Sequence, residues 1–344
     1  MYADADRAGF KGFRAKQLFE WLYRHQVQSL DEATNLPEDF KQWVTEHYQW
    51  GGVELASEVL SEDGSRKLLW RLSDGLAVEG VLMFEEEREE VGERLTLCVS
   101  SQVGCPLECT FCLTGRMRLK RQLRTDEIIE QVRAVIRLLK REEKELTNVV
   151  FMGMGEPLLN LDQLLPALQL LTSPQAFKLS SKRVTVSTAG HVPGIEALAR
   201  LEPPVSLAVS LNAVNDELRS RLMPVNRRWP IKVLLEACRN FPLKNRRRIT
   251  FEYVLLNEVN DSPQEARELV RLLHGIPNKV NLLPWNPDDR LPYQRPSEER
   301  IKAFRQVLVD HHISTFVRMS KGLDIAAACG QLATDLDEKQ ANSK

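Results

Sequence analysis

Three of the six cysteines in this 344-residue chain, Cys105, Cys109 and Cys112, fall within eight positions in the stretch GCPLECTFCLTG, spaced Cys-x3-Cys-x2-Cys. Three thiolates without a fourth nearby suit an iron–sulfur cluster that keeps one iron open for a further ligand, whereas four-cysteine clusters are closed electron carriers. Structural zinc is the second reading, although zinc favours a paired fourth Cys or His. The six histidines, His25, His47, His191, His274, His311 and His312, supply no such partner beside the trio. Scattered core cysteines are the third reading. Taken singly, Cys98 in TLCVSS reads as a small buried hydrophobe on a strand, Cys329 in DIAAACGQL as a helix-packing thiol, Cys238 in LLEACRNF as a structural residue, and Glu79 in VEGVLM as a surface charge.

The elements that must position these residues follow from composition and pattern. With 43% hydrophobic and 28% charged residues and no biased tract, the chain has the make-up of an ordinary globular protein with one large core and a small accessory domain. Met1 to Phe10 has no apolar leader core, and no apolar run approaches the length of a membrane span, so a cytoplasmic protein with no membrane partner is expected. In that reducing setting clustered thiols are ligands or catalysts rather than disulfides. A formal net charge of −1 argues against a generic polyanion binder and confines any nucleic-acid surface to local clusters.

Residues 1–50 read as a helical module. FRAKQLFEWLYRH places Phe13, Leu18, Trp21 and Leu22 near one face, and a second helix is expected within DEATNLPEDFKQWVTEHY. Residues 51–94 change to short strands and turns, ending in the acidic run Glu85 to Glu90, and read as a small β linker domain. From residue 95 to 333, strands TLCVSS, LTNVVFMG, RVTVSTA, VSLAVSLN, RITFEYVLL, KVNLLPW and STFVRMS alternate with helices. Repeated βα units predict a parallel α/β sheet, open or barrel-like, with functional residues at the strand C-termini. Residues 334–344 read as a flexible tail.

The cysteine motif at the end of the first strand of a βα series resembles the signature of radical S-adenosylmethionine (radical SAM) enzymes. LCVSSQVGC, FMGMGEPLLN, VSTAG, SLNA, FEYVLLNEVND, LLPWNP and AACGQL, in that order, are similar to the RlmN/Cfr family of RNA adenine methyltransferases within that superfamily. The resemblance implies a partial (β/α)6-type barrel with a small helical N-terminal domain. It implies one 4Fe-4S cluster on Cys105, Cys109 and Cys112, an open iron chelated by SAM, and two SAM per turnover. It places Phe111 near the adenine of SAM, Gly155 and Glu156 on the methionyl ammonium, and Ser187, Ser210, Leu211, Asn212 and Asn286 around the carboxylate, ribose or adenine. Cys329 would carry a methyl group as S-methylcysteine, Cys98 would resolve the RNA adduct through a transient disulfide with Cys329, and Glu79 would accept the ring proton. The implied product is adenine methylated at carbon 2 in 23S rRNA and in a tRNA anticodon loop, made by a monomer served by a low-potential donor such as flavodoxin or ferredoxin.

Local basic runs offer RNA contacts: Arg116, Arg118, Lys120, Arg121 and Arg124 beside the cysteines, then Arg227, Arg228, Lys244 and Arg246 to Arg248. The helical module is a further candidate contact. After the motif, RLKRQL replaces the Gly-Phe and Arg-Asn-Leu of many relatives, with Arg118, Leu119 and Gln122 at the altered positions. Two rivals remain at this point: a Cfr-like enzyme acting on carbon 8 of the same adenine, and a zinc-containing RNA-binding protein without enzymatic activity.

Overall fold

The computed structural model describes residues 2–49, 51–88, 92–244 and 246–334. Its N-terminal module contains α1 (Tyr2–Arg7), α2 (Gly12–Glu20) and α3 (Glu38–His47) around Ala5, Ala15, Leu18, Phe40 and Val44. The second expected helix starts only at Glu38, because Pro37 disfavours helical geometry at Leu36 and is itself extended, outside the first turn. The residues before it form a single 3-10 turn, Leu30–Glu32, closed by a capping box between Ser29 and Glu32. Leu18 is buried as the periodicity predicts, but Phe13 lies on the outside with the Arg14 guanidinium 4.5 Å from its ring centre.

β1 (Val53–Leu60), β2 (Arg66–Leu72) and β3 (Ala77–Arg88) form an antiparallel meander, and β3 pairs antiparallel with β4 (Gly92–Cys98). The stretch read as a β linker is therefore hydrogen-bonded into the main sheet, and the boundary between residues 94 and 95 falls inside β4. The acidic run continues past Glu85 to Glu89 and Glu90, which lie outside the described residues, as does the tail from residue 335 onward.

A small ribbon of β5 (Gln102–Val103) and β6 (Arg121–Gln122) follows β4 and encloses α4 (Leu113–Arg116). The chain then alternates α5 (Thr125–Arg141), β7 (Asn148–Phe151), α6 (Leu161–Thr172), β8 (Val184–Thr188), α7 (Val192–Leu198), β9 (Ser206–Ser210), α8 (Asp216–Leu222), α9 (Ile231–Arg239), β10 (Ile249–Leu255), α10 (Pro263–Leu273), β11 (Asn278–Pro284), α11 (Glu298–Asp310) and β12 (Thr315–Val317). Strands β4, β7, β8, β9, β10, β11 and β12 are parallel neighbours in that order. Among the described residues β12 pairs with β11 alone, so six barrel strands and a short seventh make an open arc, the partial α/β barrel expected.

Alternation along these strands separates two environments. Val149, Phe151, Val184, Val186, Leu207, Val209, Phe251 and Val280 are buried in the main apolar core. The opposite face carries polar groups: Thr185, Ser187, Ser206, Ser210, Thr250, Glu252, Lys279 and Asn281, joined across the sheet by the strand register. A barrel interior lined this way is a binding site rather than a packed centre. No helix among the described residues is long and apolar enough to cross a membrane.

The N-terminal module docks on this barrel through buried Arg133 of α5, which donates to the Val27 carbonyl (2.8 Å) and to Gln26 Oε1 (3.3 Å), with Tyr23 packed 6.0 Å from Phe177. Arg133→Ala should lower the unfolding free energy by about 2 kcal/mol, as expected for charge-assisted hydrogen bonds to groups left buried. Urea unfolding should report the loss, and proteolysis should quicken first between the module and β1.

Candidate active site

The cysteine loop leaves the sheet directly after β4 and is pinched at its base by the β5–β6 pairing, Gln102 opposite Gln122 and Val103 opposite Arg121. Gly104, at φ +78°, is required there: a Cβ would lie 1.9 Å from the Arg118 carbonyl oxygen. Gln122, one of the altered positions, donates to the Leu159 carbonyl (3.0 Å) and accepts from Gln102 Nε2 (2.8 Å), so it closes the loop rather than facing substrate. At the tip, Thr110 N donates to the Leu222 carbonyl (3.0 Å) and the Thr110 hydroxyl meets Tyr293 Oη at 2.6 Å.

This pinning holds three thiols together in a place short of water. Burial pushes Cys105 up to about 12 and drives Cys109 and Cys112 upward, with the Cys112 thiol adding to the rise at Cys105, and both Cys112 and Cys105 to that at Cys109. Buried Arg219 of α8 opposes the rise at Cys109. It donates to the carbonyls of Ala189 (2.6 Å), Ser210 (3.1 Å) and Leu211 (2.9 Å), tying the ends of β8 and β9 beside the loop. Soft sulfur donors that resist ionisation when bare are suited to a metal centre whose positive charge would stabilise the thiolates. Among the described residues no three His, Cys, Asp or Glu side chains converge where a single ion would sit; the ligands of a cluster stand apart, each on its own iron.

The residues expected to hold SAM lie at the C-terminal ends of the neighbouring strands. Gly155 has φ +100°, and a Cβ there would come within 2.5 Å of Gln102. Glu156 is buried, its carboxylate taking hydrogen bonds from Ala189 N (2.7 Å) and Leu158 N (3.2 Å), yet no ion-pair partner faces it among the described residues. Burial accordingly pushes it up to about 7, a state that an ammonium ligand would reverse. Buried Asn286 leaves its Oδ1 without a hydrogen-bond partner. An unmatched buried carboxyl and an unmatched amide oxygen near a thiol trio fit a zwitterionic, polar ligand. Ser187 and Ser210 sit half-buried on the polar interior face, and Phe111 packs beside the loop against the cluster of Leu113, Trp285 and Leu291.

Two of the expected contacts are engaged elsewhere. Asn212, at φ +59°, accepts from Val254 N (2.8 Å) and points its amide at Met223 Sδ (3.2 Å). Leu211 is fully buried, its N–H donating to Glu252 O (3.0 Å). Both shape the rim; neither side chain presents a spare polar group.

Cys329 is delivered by an irregular C-terminal segment that is laced to the cysteine loop and to β3. Leu113 N donates to the Gly330 carbonyl (2.8 Å), the Thr114 hydroxyl to the Leu332 carbonyl (2.6 Å), and Ala333 N to Glu79 Oε2 (2.8 Å). Glu79 is therefore no surface charge: it is 4% exposed on β3, with Lys67 Nζ 3.5 Å from its other oxygen. Cys98 ends β4 opposite Val81 of β3, and the Ser100 hydroxyl donates to the Glu79 carbonyl (2.5 Å). The Cys329 thiol reaches solvent but is crowded by protein, and that environment raises it to about 11, with Glu252 and Cys112 contributing. Cys98 is raised further, partly by the nearby Cys329 sulfur. Cys238, by contrast, belongs to the apolar core.

Sequence reading passed over Glu252, Asn281, Arg219 and Lys67. The first two are joined at 2.9 Å on the interior face, where burial pushes Glu252 up to about 7. Their signal was polar residues at every second position of apolar strands. The basic run after the cysteines divides: Arg121 is spent on Asp74 and Glu127, and Arg124 on Asp126 and Glu127. Arg116 and Arg118 instead line a cavity of about 490 Å³ beside Cys109 and Tyr293. Of the later runs, Arg247 bonds Ser181 (2.8 Å) and the Pro204 carbonyl, Arg248 bonds Ser314 (2.7 Å), and Lys244 pairs with Glu202 (2.9 Å).

Comparison with known proteins agrees with this geometry. Residues 99–273 match the model of the Radical SAM superfamily, and residues 4–49 match that of the ribosomal RNA large subunit methyltransferase N-terminal domain. A dual-specificity RNA methyltransferase RlmN of Pelobacter propionicus is 47% identical over 96% of this chain and 92% of its own. Another of the same name, from an Anaeromyxobacter species, is 50% identical over 95% of this chain and 86% of its own. The crystal structure of a radical SAM methyltransferase from Sphaerobacter thermophilus superposes with a TM-score of 0.90 at 43% identity, covering 96% of each chain.

Replacing Cys105, Cys109 or Cys112 by Ala should strip iron from the anaerobically purified protein and abolish reductive SAM cleavage; undiminished 5′-deoxyadenosine would exclude that residue as a ligand. Asn286→Ala should weaken SAM binding about tenfold, as for loss of one hydrogen bond to a charged or strongly polar group, with iron content unchanged. Equal loss of iron would mark Asn286 as a folding residue.

Proposed function

The chain belongs to the RlmN family of radical SAM RNA methyltransferases, and from that we propose that it methylates carbon 2 of adenine in 23S rRNA and in a tRNA anticodon loop, using Cys329 as methyl carrier. Its cofactors are those of the superfamily, a 4Fe-4S cluster and SAM, and its substrate is RNA. We assign Cys105, Cys109 and Cys112 to the cluster, and Gly155, Glu156, Ser187, Ser210 and Asn286 to SAM, with Phe111, Leu211 and Asn212 shaping that pocket. A low-potential flavodoxin or ferredoxin is the electron donor in this reading.

Carbon 2 of adenine is an sp2 C–H carbon with little nucleophilic character, so simple displacement at a sulfonium methyl has no route to it. When bound, the cluster and SAM supply the methyl group and the 5′-deoxyadenosyl radical that ordinary acid–base groups cannot. Cys329 holds the methyl on its sulfur and presents it, after loss of one hydrogen atom, to the ring carbon. Glu79 takes the ring proton as general base. Cys98, giving up its proton, then attacks the Cys329 sulfur: a Cys98–Cys329 disulfide forms as the S–C bond breaks, and the bridging carbon keeps the electron pair and takes a proton to become the methyl group.

The observation that carries this reading is the Glu79 carboxylate accepting the Ala333 N–H at 2.8 Å. It joins the segment bearing Cys329 to the β3–β4 pair bearing Cys98, an arrangement that supports reading Glu79, Cys329 and Cys98 as one working set. The two thiols come from different elements, β4 and the C-terminal segment, and both are raised above the ordinary thiol range, Cys98 by burial and Cys329 by the protein that crowds it, which suits a pair that must not close a disulfide before substrate is methylated. Arg116 and Arg118, beside the cysteine loop, are suited to phosphate.

The two extra cysteines act at different moments, and their variants should differ accordingly. Cys329→Ala should yield neither methylated protein nor methylated RNA. Cys98→Ala should stall with Cys329 joined to RNA through one carbon, a complex that survives denaturing gels and vanishes in the double variant. Normal turnover by Cys98→Ala, or no adduct while Cys329 is methylated and iron retained, would rule the disulfide step out. Mass spectrometry of modified adenosines from a deletion strain separates carbon 2 from carbon 8, and rRNA from tRNA.

A further inference from the structure

We infer that Lys67 is a positioning residue for the proton-accepting step, holding Glu79 as an oriented carboxylate; this rests on Glu79 being the acceptor. Leu69 of β2 lies opposite Glu79 of β3 and Lys67 opposite Val81, so Lys67 is the diagonal neighbour of Glu79 on one face of the sheet. Its ammonium stands 3.5 Å from Glu79 Oε1, with the two side chains 18% and 6% accessible. The flanking residues Leu68 and Trp70 point into the apolar core, and Arg66 pairs with Glu142 at 2.6 Å, so β2 sends its two adjacent cations to opposite faces and to different acids.

A carboxylate this far from water is costly to keep charged unless a partner offsets the lost hydration. The Ala333 N–H on Oε2 supplies a dipole, and Lys67 on Oε1 supplies a full charge. Together they engage both oxygens from two sides and define the plane of the carboxylate. In the step itself the ring C–H bond of the adduct breaks heterolytically: its proton goes to a Glu79 oxygen and the electron pair stays in the purine, while the unpaired electron left by addition of the methylene radical leaves to a one-electron acceptor of the iron–sulfur type. Lys67 acts before that transfer by keeping Glu79 in the ionised form able to accept. It forms no bond to the substrate and leaves SAM cleavage untouched, so its removal should uncouple radical formation from product release.

The test uses the full chain, reconstituted anaerobically and given an RNA substrate, as wild type, Lys67→Gln, Lys67→Arg and Glu79→Gln. Iron content, 5′-deoxyadenosine, methylated RNA and the covalent protein–RNA adduct are read in parallel. Lys67→Gln should retain iron and 5′-deoxyadenosine formation, lose about tenfold or more in kcat with little change in KM for RNA, and accumulate adduct as Glu79→Gln does. Lys67→Arg should recover most of the turnover, since it restores the charge. Wild-type turnover by Lys67→Gln alongside a stalled Glu79→Gln would overturn the role of Lys67 alone. Loss of iron or of 5′-deoxyadenosine in Lys67→Gln would make Lys67 a structural residue and overturn it as well. Normal turnover by Glu79→Gln would overturn both the acceptor assignment and the inference built on it.

Discussion

Cys329 sits in no helix or strand, and its position depends on hydrogen bonds that its own segment makes to distant parts of the chain. Farther back, Gly322 N donates to Asp63 (2.9 Å) and Asp324 accepts from Ser61 (2.5 Å), anchoring the segment on the β1–β2 turn. Closer in, Gly330 and Leu332 bond to the cysteine loop and Ala333 bonds to Glu79. Ala327 and Leu332 add packing in the main apolar core, yet the segment, unlike a helix or strand, has no ladder of its own to break when it is repositioned. In the proposed reaction the Cys329 thiol meets SAM, then RNA, then Cys98, and a laced irregular segment suits three successive partners.

The interior of the arc is built against stability in order to be a site. Glu156 and Glu252 are buried carboxyls pushed to about 7, and Arg219 is a buried guanidinium lowered to about 10 and satisfied by main-chain carbonyls rather than by an acid. Each represents desolvation that an apolar residue would have avoided. The opposite face of the same strands offsets it, with a continuous apolar core under the outer helices. Period-two alternation in a parallel sheet thus divides labour: one face stabilises the fold, and the other carries buried polar and ionisable groups.

Chain geometry at the cysteine loop shows the same economy. The β5–β6 pinch, Gly104 and Gln122 bring the loop back on itself, while Arg121 and Arg124 lock to Glu127, an acid buried at the start of α5. Residues that look basic and RNA-directed in sequence are thereby divided between scaffold and surface. The N-terminal module, fastened through Arg133 to α5, is carried by the helix that starts where this loop ends.

The sequence by itself determined the βα series, the helical module and the cysteine loop, because these are encoded by short-range signals: apolar periodicity, the cysteine spacing, and glycines where the backbone turns sharply. It also carried the family, since ordered motifs from residue 10 to 332 survive without knowledge of contacts. Tertiary structure alone decided the rest. Glu79, singled out in sequence by the family resemblance alone, reads locally as an exposed charge, and its burial rests on a contact with Ala333, 254 positions away. Lys67, Arg219 and Glu252 have no local signature, since what distinguishes them is the element each faces. Arg121 and Arg124 look like phosphate ligands until Glu127 is seen to hold them. The physical reason is common to all: the character of an ionisable side chain is set by its neighbours and by the water it has lost, and both are fixed by contacts between distant parts of the chain.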